Sequence, residues 1–425
     1  MAIVAGTILL LLPISTVSGR IPLIDALFTA TSAVCVTGLT AVETATYFSF
    51  FGQVIILIMI QLGGLGIMTF STMILLAAGR RISFQDRMLV QESFFVAAPK
   101  DFRTLIRNIF LMTFSIELAG AGFLFLRLSS QQPWPKSFFN SLFHSVSAFC
   151  NAGFSTFSNS LQAFTGDILV NLTIMALIIL GGLGFLVNQE LFYLALKRPR
   201  RFHFSLHSKL VLRVTGLLIV GSFVVFFWLE NNYGLRGFGL KEKILASLFQ
   251  VITPRTAGFN TIDLRGLQAA SVFLLTGLMF VGASPGSTGG GIKTVTLGVI
   301  MAFLKSKMAA REKVGVFQRT IPDECLTRAF TLFFLAFSWV ALASFFVLIF
   351  QPSAMMKEAV FEVFSAFGTV GLSLGITTEL TPLSKLVLIL TMYVGRIGPL
   401  TLLAVFSRTK PAGQFAYVEE TVMIG

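Results

Sequence analysis

Four stretches of this chain can be laid over one another: FTATSAVCVTGLT (28–40), FHSVSAFCNAGFST (143–156), FQVITPRTAGFNT (249–261) and FSAFGTVGLSLG (364–375). Each opens on Phe, runs through small residues and reaches a glycine followed by a large apolar residue. The aligned glycines are Gly38, Gly153, Gly258 and Gly371. A second landmark follows each one: QLGGLG (61–66), ILGGLG (179–184), FVGASPG (280–286) and YVGRIGP (393–399). Its first glycine (Gly63, Gly181, Gly282, Gly395) comes 25, 28, 24 and 24 residues after the first marker. Two markers held in register through four copies define a fourfold internal repeat, and a fold must accommodate all four copies equally.

Only 12% of the 425 residues are charged and 55% are hydrophobic, against roughly 25% charged in an ordinary soluble domain. Apolar runs recur at 51–78, 168–196, 210–228, 272–281, 329–350 and 383–405, most of them reaching the ~20 residues that span a bilayer. This excludes a soluble protein and predicts a multi-pass protein of the cell membrane. The net charge of +13 does not point to nucleic acid, because the basic residues sit in short loops after apolar runs. These are GRRISFQDR (79–87), KRPRRFHFSLHSK (197–209), KSKMAAREKVGVFQR (305–319) and SRTK (407–410). The positive-inside rule places all four in the cytoplasm, where they face solvent or anionic lipid. An even number of crossings must then separate each pair.

Met1 is followed directly by AIVAGTILLLL, with no basic region or small-residue cleavage site, so no signal peptide is expected. That run is short for a span, and the natural chain is expected to begin upstream. Cys35, Cys150 and Cys325 have no C-x-x-C spacing and read as small hydrophobes. His144, His203 and His207 show no ligand spacing. Without a convergent His, Asp or Cys constellation, no enzyme is expected.

Each unit reads as a long apolar helix, an outer loop, a short helix ending at the glycine, and a second long helix. In the second unit these fall at about 104–128, 137–149 and 167–195. The short helices are too short to cross, so they are re-entrant. The extended backbone after them survives at membrane depth only if buried in protein or lining a watery cavity. The expected architecture is an all-α polytopic membrane protein with eight crossings and four re-entrant loops around a pseudo-fourfold axis. The repeats are predicted at 1–85, 86–200, 201–312 and 313–410, with a tail at 411–425.

Four such strips can turn carbonyls toward one axis and replace the hydration shell of an ion. The candidate strips are Val36-Thr37-Gly38, Asn151-Ala152-Gly153, Thr256-Ala257-Gly258 and Thr369-Val370-Gly371. The last is the opening of the T-V-G-Y-G filter of potassium channels. A lone copy would read as a helix-capping glycine or small-residue packing; four copies in register read as a filter. Helix C-terminal ends aimed at the axis favour a cation.

The second helix of the third unit is interrupted by GASPGSTGGGIKT (282–294), whose glycines and Pro285 cannot continue a helix. A broken segment in a transport protein marks its functional centre. The candidate gate is Gly282, Ser284, Pro285, Gly286, Ser287, Thr288, Gly289, Gly290, Gly291 and Lys293, with Arg396 from the equivalent landmark of the fourth unit. Arg396 is expected to bond loop groups at Ser284, Ser287 or Thr288, since a charge within a span needs a partner. A phosphate-binding loop is excluded because Ile292 separates Gly291 from Lys293 and no strand precedes. Glu117 is expected in a packing role through hydrogen bonds or a basic partner, and Arg255 is expected to brace the third strip from behind.

These segments carry a resemblance to the Trk/Ktr/HKT superfamily of potassium transporters, most specifically DALFTATSAVCVTGLT (25–40), TPRTAGFN (253–260), GSTGGGIKT (286–294) and FSAFGTVGLSLG (364–375). Glycine at all four filter positions resembles the potassium-selective members. Plant relatives with serine in the first filter favour sodium, and Gly38 departs from that. The absence of an extra N-terminal helix pair and the closing YVEETVMIG (417–425) resemble the Ktr membrane subunit. The resemblance implies potassium uptake, a loop that obstructs the pore below the filter, and a homodimer with one pore per protomer. It also implies a cytosolic ring of subunits through which ATP and ADP regulate the pore, with sodium as a candidate activator. No covalent cofactor is expected. Cotransport with sodium or protons is the competing class, but it calls for inverted repeats, whereas these run parallel.

Overall fold

The computed structural model describes residues 1–66, 102–197 and 203–398. The basic segments at 79–87 and 407–410, the YVEETVMIG end and the repeat boundaries at 85/86, 200/201 and 410/411 lie outside them. Among the described residues the regular structure is helical apart from one two-stranded hairpin, Gly315–Val316 (β1) with Arg319–Thr320 (β2), at the end of the basic loop at 305–319.

The helices follow one order four times. The first group is α1 (Ala2–Leu11), α2 (Leu23–Val34), a single turn α3 (Thr44–Tyr47) and α4 (Phe50–Leu65). The second is α5 (Phe102–Leu128), α6 (Trp134–Phe149), α7 (Ile168–Leu183) and α8 (Phe185–Lys197). The third is α9 (Leu206–Glu230), α10 (Leu240–Ile252), α11 (Ala269–Phe280) and α12 (Thr294–Met308). The fourth is α13 (Asp323–Phe350), α14 (Met356–Gly368) and α15 (Pro382–Ile397). The helices α5, α9 and α13 are long and apolar enough to cross a membrane.

The second helix of the second unit is not the continuous span expected. In the second unit α7 and α8 meet at Gly184 and bend by 114°. Gly66, Gly184 and Gly398, the last glycines of three landmarks, have φ of +82°, +92° and +91°. That left-handed conformation ends a helix and is open to glycine at little cost. The GGLG landmark of the second unit is therefore a break in its own right, and α4 and α15 likewise end at their landmark glycines.

The short helices α2, α6, α10 and α14 carry the four glycine strips at their C-terminal ends. Asp25, Glu242 and Glu358 lie in the first turns of three of them. Glu242 accepts the N–H of Gly239 at 3.0 Å and Glu358 that of Met355 at 3.2 Å. Carboxylates at the N-termini stabilise unpaired N–H groups and leave the negative ends of the helices pointing inward. Around the molecule each post-glycine helix packs on the next unit's short helix: α4 on α6, α7 on α10, α11 on α14 and α15 back on α2. This closes the ring.

Candidate functional site

The four strips share one backbone conformation that only their register explains. Their first residues, Val36, Asn151, Thr256 and Thr369, have φ of 57°, 58°, 73° and 49°, although none is glycine. Their third residues, Gly38, Gly153, Gly258 and Gly371, have φ of 90°, 69°, 77° and 95°. A non-glycine residue in the left-handed region costs on the order of 1 kcal/mol or more and persists only where surroundings impose it. Alternating handedness along an extended strip turns successive carbonyls to the same side.

Each strip also abuts the next. A Cβ placed on Gly38 would sit 3.0 Å from the Cα of Gly153 and against the Ala152 carbonyl. One on Gly153 would sit 3.1 Å from the Cα of Gly258, and one on Gly258 3.0 Å from that of Gly371. One on Gly371 would return to Gly38 at 2.9 Å, against the Thr37 carbonyl. The glycines thus form a closed ring of four in chain order, with no room for a side chain at any member.

Hydrogen bonds from the short helices fix the strips. The N–H groups of Thr37, Ala152 and Val370 donate to the carbonyls of Ser32, Ser147 and Ser365 at 2.8, 2.7 and 2.8 Å. Gly38 and Gly371 donate to the Ser32 and Ser365 hydroxyls, both at 3.0 Å. In the third unit the Thr253 hydroxyl donates to the Phe259 carbonyl at 2.6 Å. Behind the fourth strip, the buried carboxylate of Glu362 accepts from the Ser373 and Thr377 hydroxyls. No local pattern in the sequence links the three residues, so that contact was not foreseen.

Above the ring lies a polar cavity of about 430 Å³, lined by the four glycines and by outer-loop residues that include Glu43, Asp263 and Arg265. A larger hollow of about 860 Å³ is walled by apolar side chains of α5, α7 and α8, such as Leu111, Phe123 and Leu172. It has the character of a lipid-facing surface, so the smaller polar cavity is the one that leads to the ring.

Below the ring, the interrupting loop touches the second, third and fourth units. Its neck is drawn together where the N–H of Ile292 donates to Phe280 at 3.3 Å. Toward the second unit, Ser284 N–H donates to Gly182 at 2.9 Å, and the Thr288 hydroxyl lies 3.2 Å from the carbonyls of Phe149 and Gly181. Phe185 N–H donates to Gly286 at 3.0 Å, and the Pro285 carbonyl packs on Gly184. Toward the third strip, Gly289 packs on the Thr256 hydroxyl. Toward the fourth, Gly290 N–H donates to the Thr369 hydroxyl at 2.9 Å and Gly291 N–H to the Gly395 carbonyl at 3.2 Å. The Lys293 ammonium donates to the Gly289 carbonyl at 2.7 Å.

Arg396 completes the set. Its guanidinium donates one hydrogen bond to the Thr288 carbonyl and another to the Gly63 carbonyl, clamping loop and first unit together. Ser284 and Ser287 do not take part. The Ser287 hydroxyl donates to the Ser284 carbonyl at 2.5 Å and the Thr294 hydroxyl to the Ser284 hydroxyl at 2.9 Å. The landmark glycines make the close approach possible: a Cβ on Gly63, Gly181 or Gly395 would strike the carbonyl of Val34, Phe149 or Phe367.

Two other buried charges behave differently. Glu117 accepts from Gln61 Nε2 at 3.2 Å, and the Cys150 thiol lies 3.8 Å away. Arg255 is buried at the end of α10, but its Nε and Nη2 make no hydrogen bond among the described residues. Any support it gives the third strip comes through packing and charge. Cys35 and Cys150 are buried, whereas Cys325 is exposed. No group of three metal-ligating side chains occurs among the described residues.

Comparison with known proteins agrees with this architecture. Residues 3–417 match the TrkH family of cation transport proteins. The chain is 41% identical to Ktr system potassium uptake protein B of Bacillus subtilis over 96% of its length and 91% of that protein's. It is 38% identical to the potassium/sodium uptake protein NtpJ of Enterococcus hirae, covering all of this chain and 94% of that one. With Ktr system potassium uptake protein B of Vibrio alginolyticus the identity is 37%, over 99% and 92%. The crystal structure of the potassium transporter TrkH from Vibrio parahaemolyticus superposes with a TM-score of 0.71 at 21% identity, over 92% of this chain and 79% of that one. A ring of four re-entrant strips in a multi-pass membrane chain, matched in sequence almost from end to end, makes this protein a member of the TrkH family of cation transport proteins.

Proposed function

We propose that this chain carries potassium into the cell through a single channel-like pore. The observation that carries the reading is the closed ring of Gly38, Gly153, Gly258 and Gly371, each against the next unit's strip. Carbonyls of the four strips replace the hydration shell of the ion, and the C-terminal ends of α2, α6, α10 and α14 supply negative potential. A negative cell interior favours entry by about 2.3 kcal/mol per 100 mV, so the flow needs no coupled reaction. The names of the relatives from B. subtilis and V. alginolyticus support potassium as the ion.

The loop from Gly282 to Lys293 is the gate, held shut by Arg396. In this reading the four repeats are the units at 1–85, 86–200, 201–312 and 313–410, and the working form is a homodimer on a cytosolic ring of nucleotide-binding subunits. The support for that assembly is the resemblance to the Ktr membrane subunit. Sodium enters as an activator, or as a coupled ion if the protein is a cotransporter, the second reading that the name of the E. hirae relative favours.

Potassium uptake in transport-deficient cells separates these readings. Channel-like transport predicts growth rescue whose driving force follows membrane potential and needs no sodium gradient. Uptake that stops when the sodium gradient is collapsed, with potential held constant, favours cotransport.

A further inference from the structure

The first positions of the four strips are chemically unequal. Val36 is apolar, Asn151 carries an amide, and only Thr256 and Thr369 carry hydroxyls. The two hydroxyls belong to adjacent units of the ring and both face the loop. The Val36 side chain packs toward Gly63 instead, and Asn151 lies beside Gly182. The loop is on the cytoplasmic side of the strips, because α12 runs from it to the basic segment at 305–319.

The loop does more than lie in the path. Gly290 N–H donates to the Thr369 hydroxyl at 2.9 Å, and Gly289 packs against the Thr256 hydroxyl. The Lys293 ammonium stands on the Gly289 carbonyl at 2.7 Å, so the loop brings its own cation to this end of the ring. Gly289 and Gly290 have no space for a Cβ against these threonines.

We infer that the Thr256 and Thr369 hydroxyls form an innermost site for a monovalent alkali cation, and that the loop and the ion compete for them. The inference rests on the pore reading above and adds a coupling to it. A ligand that binds only the open arrangement shifts the equilibrium toward it, and the effect is reciprocal. The permeant ion therefore helps to open its own gate from within. Losing a neutral hydrogen bond of ordinary net strength corresponds to about a five-fold change in the closed-to-open ratio.

The test uses the full-length protein in liposomes, with Ser287→Cys as a reporter and Cys325→Ser to remove the exposed native thiol. Labelling of the reporter by a membrane-impermeant maleimide is followed as potassium is titrated, with choline as the replacement ion. The labelling rate is expected to rise with potassium. Thr369→Ser, which keeps the hydroxyl, should preserve the rise. Thr369→Val should label about five-fold faster without potassium and respond little to it. A flat rate in the reporter parent, or an unaltered potassium response in Thr369→Val, overturns the inference. Potassium flux of the same liposomes is measured in parallel. A parent that conducts with a flat labelling rate sinks the coupling alone, whereas a parent that carries no potassium sinks the pore reading.

Discussion

The ammonium of Lys385 lies 2.6 Å from the carboxylate of Asp25, joining α15 of the last unit to α2 of the first. Both side chains are largely buried, with 9% and 12% exposed. Asp25 also sits in the first turn of α2, where a negative charge is favoured. Removing either partner strands a buried charge, at about 3–5 kcal/mol. Asp25→Asn and Lys385→Met should each lower the thermal unfolding midpoint in detergent sharply, and the double variant should lose less than the sum. Strict additivity would show that the pair does not act as one.

Arg396 clamps Thr288 of the loop to Gly63 of the first unit. Arg396→Gln should raise basal cation flux in the absence of any regulatory subunit, because charged hydrogen bonds of this kind contribute about 1.5–3 kcal/mol each. Unchanged basal flux in a variant of normal stability would remove Arg396 from the gate.

Gly181 approaches the Phe149 carbonyl so closely that a Cβ would also lie 3.2 Å from the Thr288 hydroxyl. Gly181→Ala is therefore expected to cost about 1–3 kcal/mol through overpacking. Gly216→Ala, on the exposed side of α9 with nothing within 4 Å of its Cβ position, should be neutral or slightly stabilising. Thermal unfolding of the two variants side by side checks the contrast.

At the outer end of α7, Asp167 caps the helix by accepting from Val170 N–H at 3.1 Å and pairs with Arg127. Partial burial pushes the carboxyl up, but the Arg127 guanidinium and the helix N–H groups outweigh it and hold it below the usual carboxylate range. The stabilisation is present above the unfolded value near ~3.9 and is lost as pH falls through the lower folded value. Asp167→Asn should flatten this part of the acid unfolding curve; an unaltered curve would show that Asp167 does not contribute to it.

The repeat was legible because its markers are backbone requirements. A strip that must turn left-handed beside its neighbour selects glycine at 38, 153, 258 and 371 whatever the surrounding sequence. The long helices α5, α9 and α13 were legible from apolar length. The break at Gly184 was not, because a GG pair inside an apolar run is also good helix-packing sequence. The last glycine of each landmark, in the position of a helix-ending residue, was the available cue. The Asp25–Lys385 pair was out of reach, since its 360 residues of separation are bridged only by ring closure. Gly63 meets Arg396 through its carbonyl, a group that every residue has.

The ring of four glycines is the centre of the account, and cation flux through the purified chain in liposomes tests it most directly. The native chain should pass potassium far faster than sodium. Gly371→Ser, which adds a side chain where Gly38 leaves no room, should narrow or abolish that preference while the protein still folds. Equal potassium and sodium fluxes in the native chain, or a Gly371→Ser variant with unaltered selectivity, would contradict it.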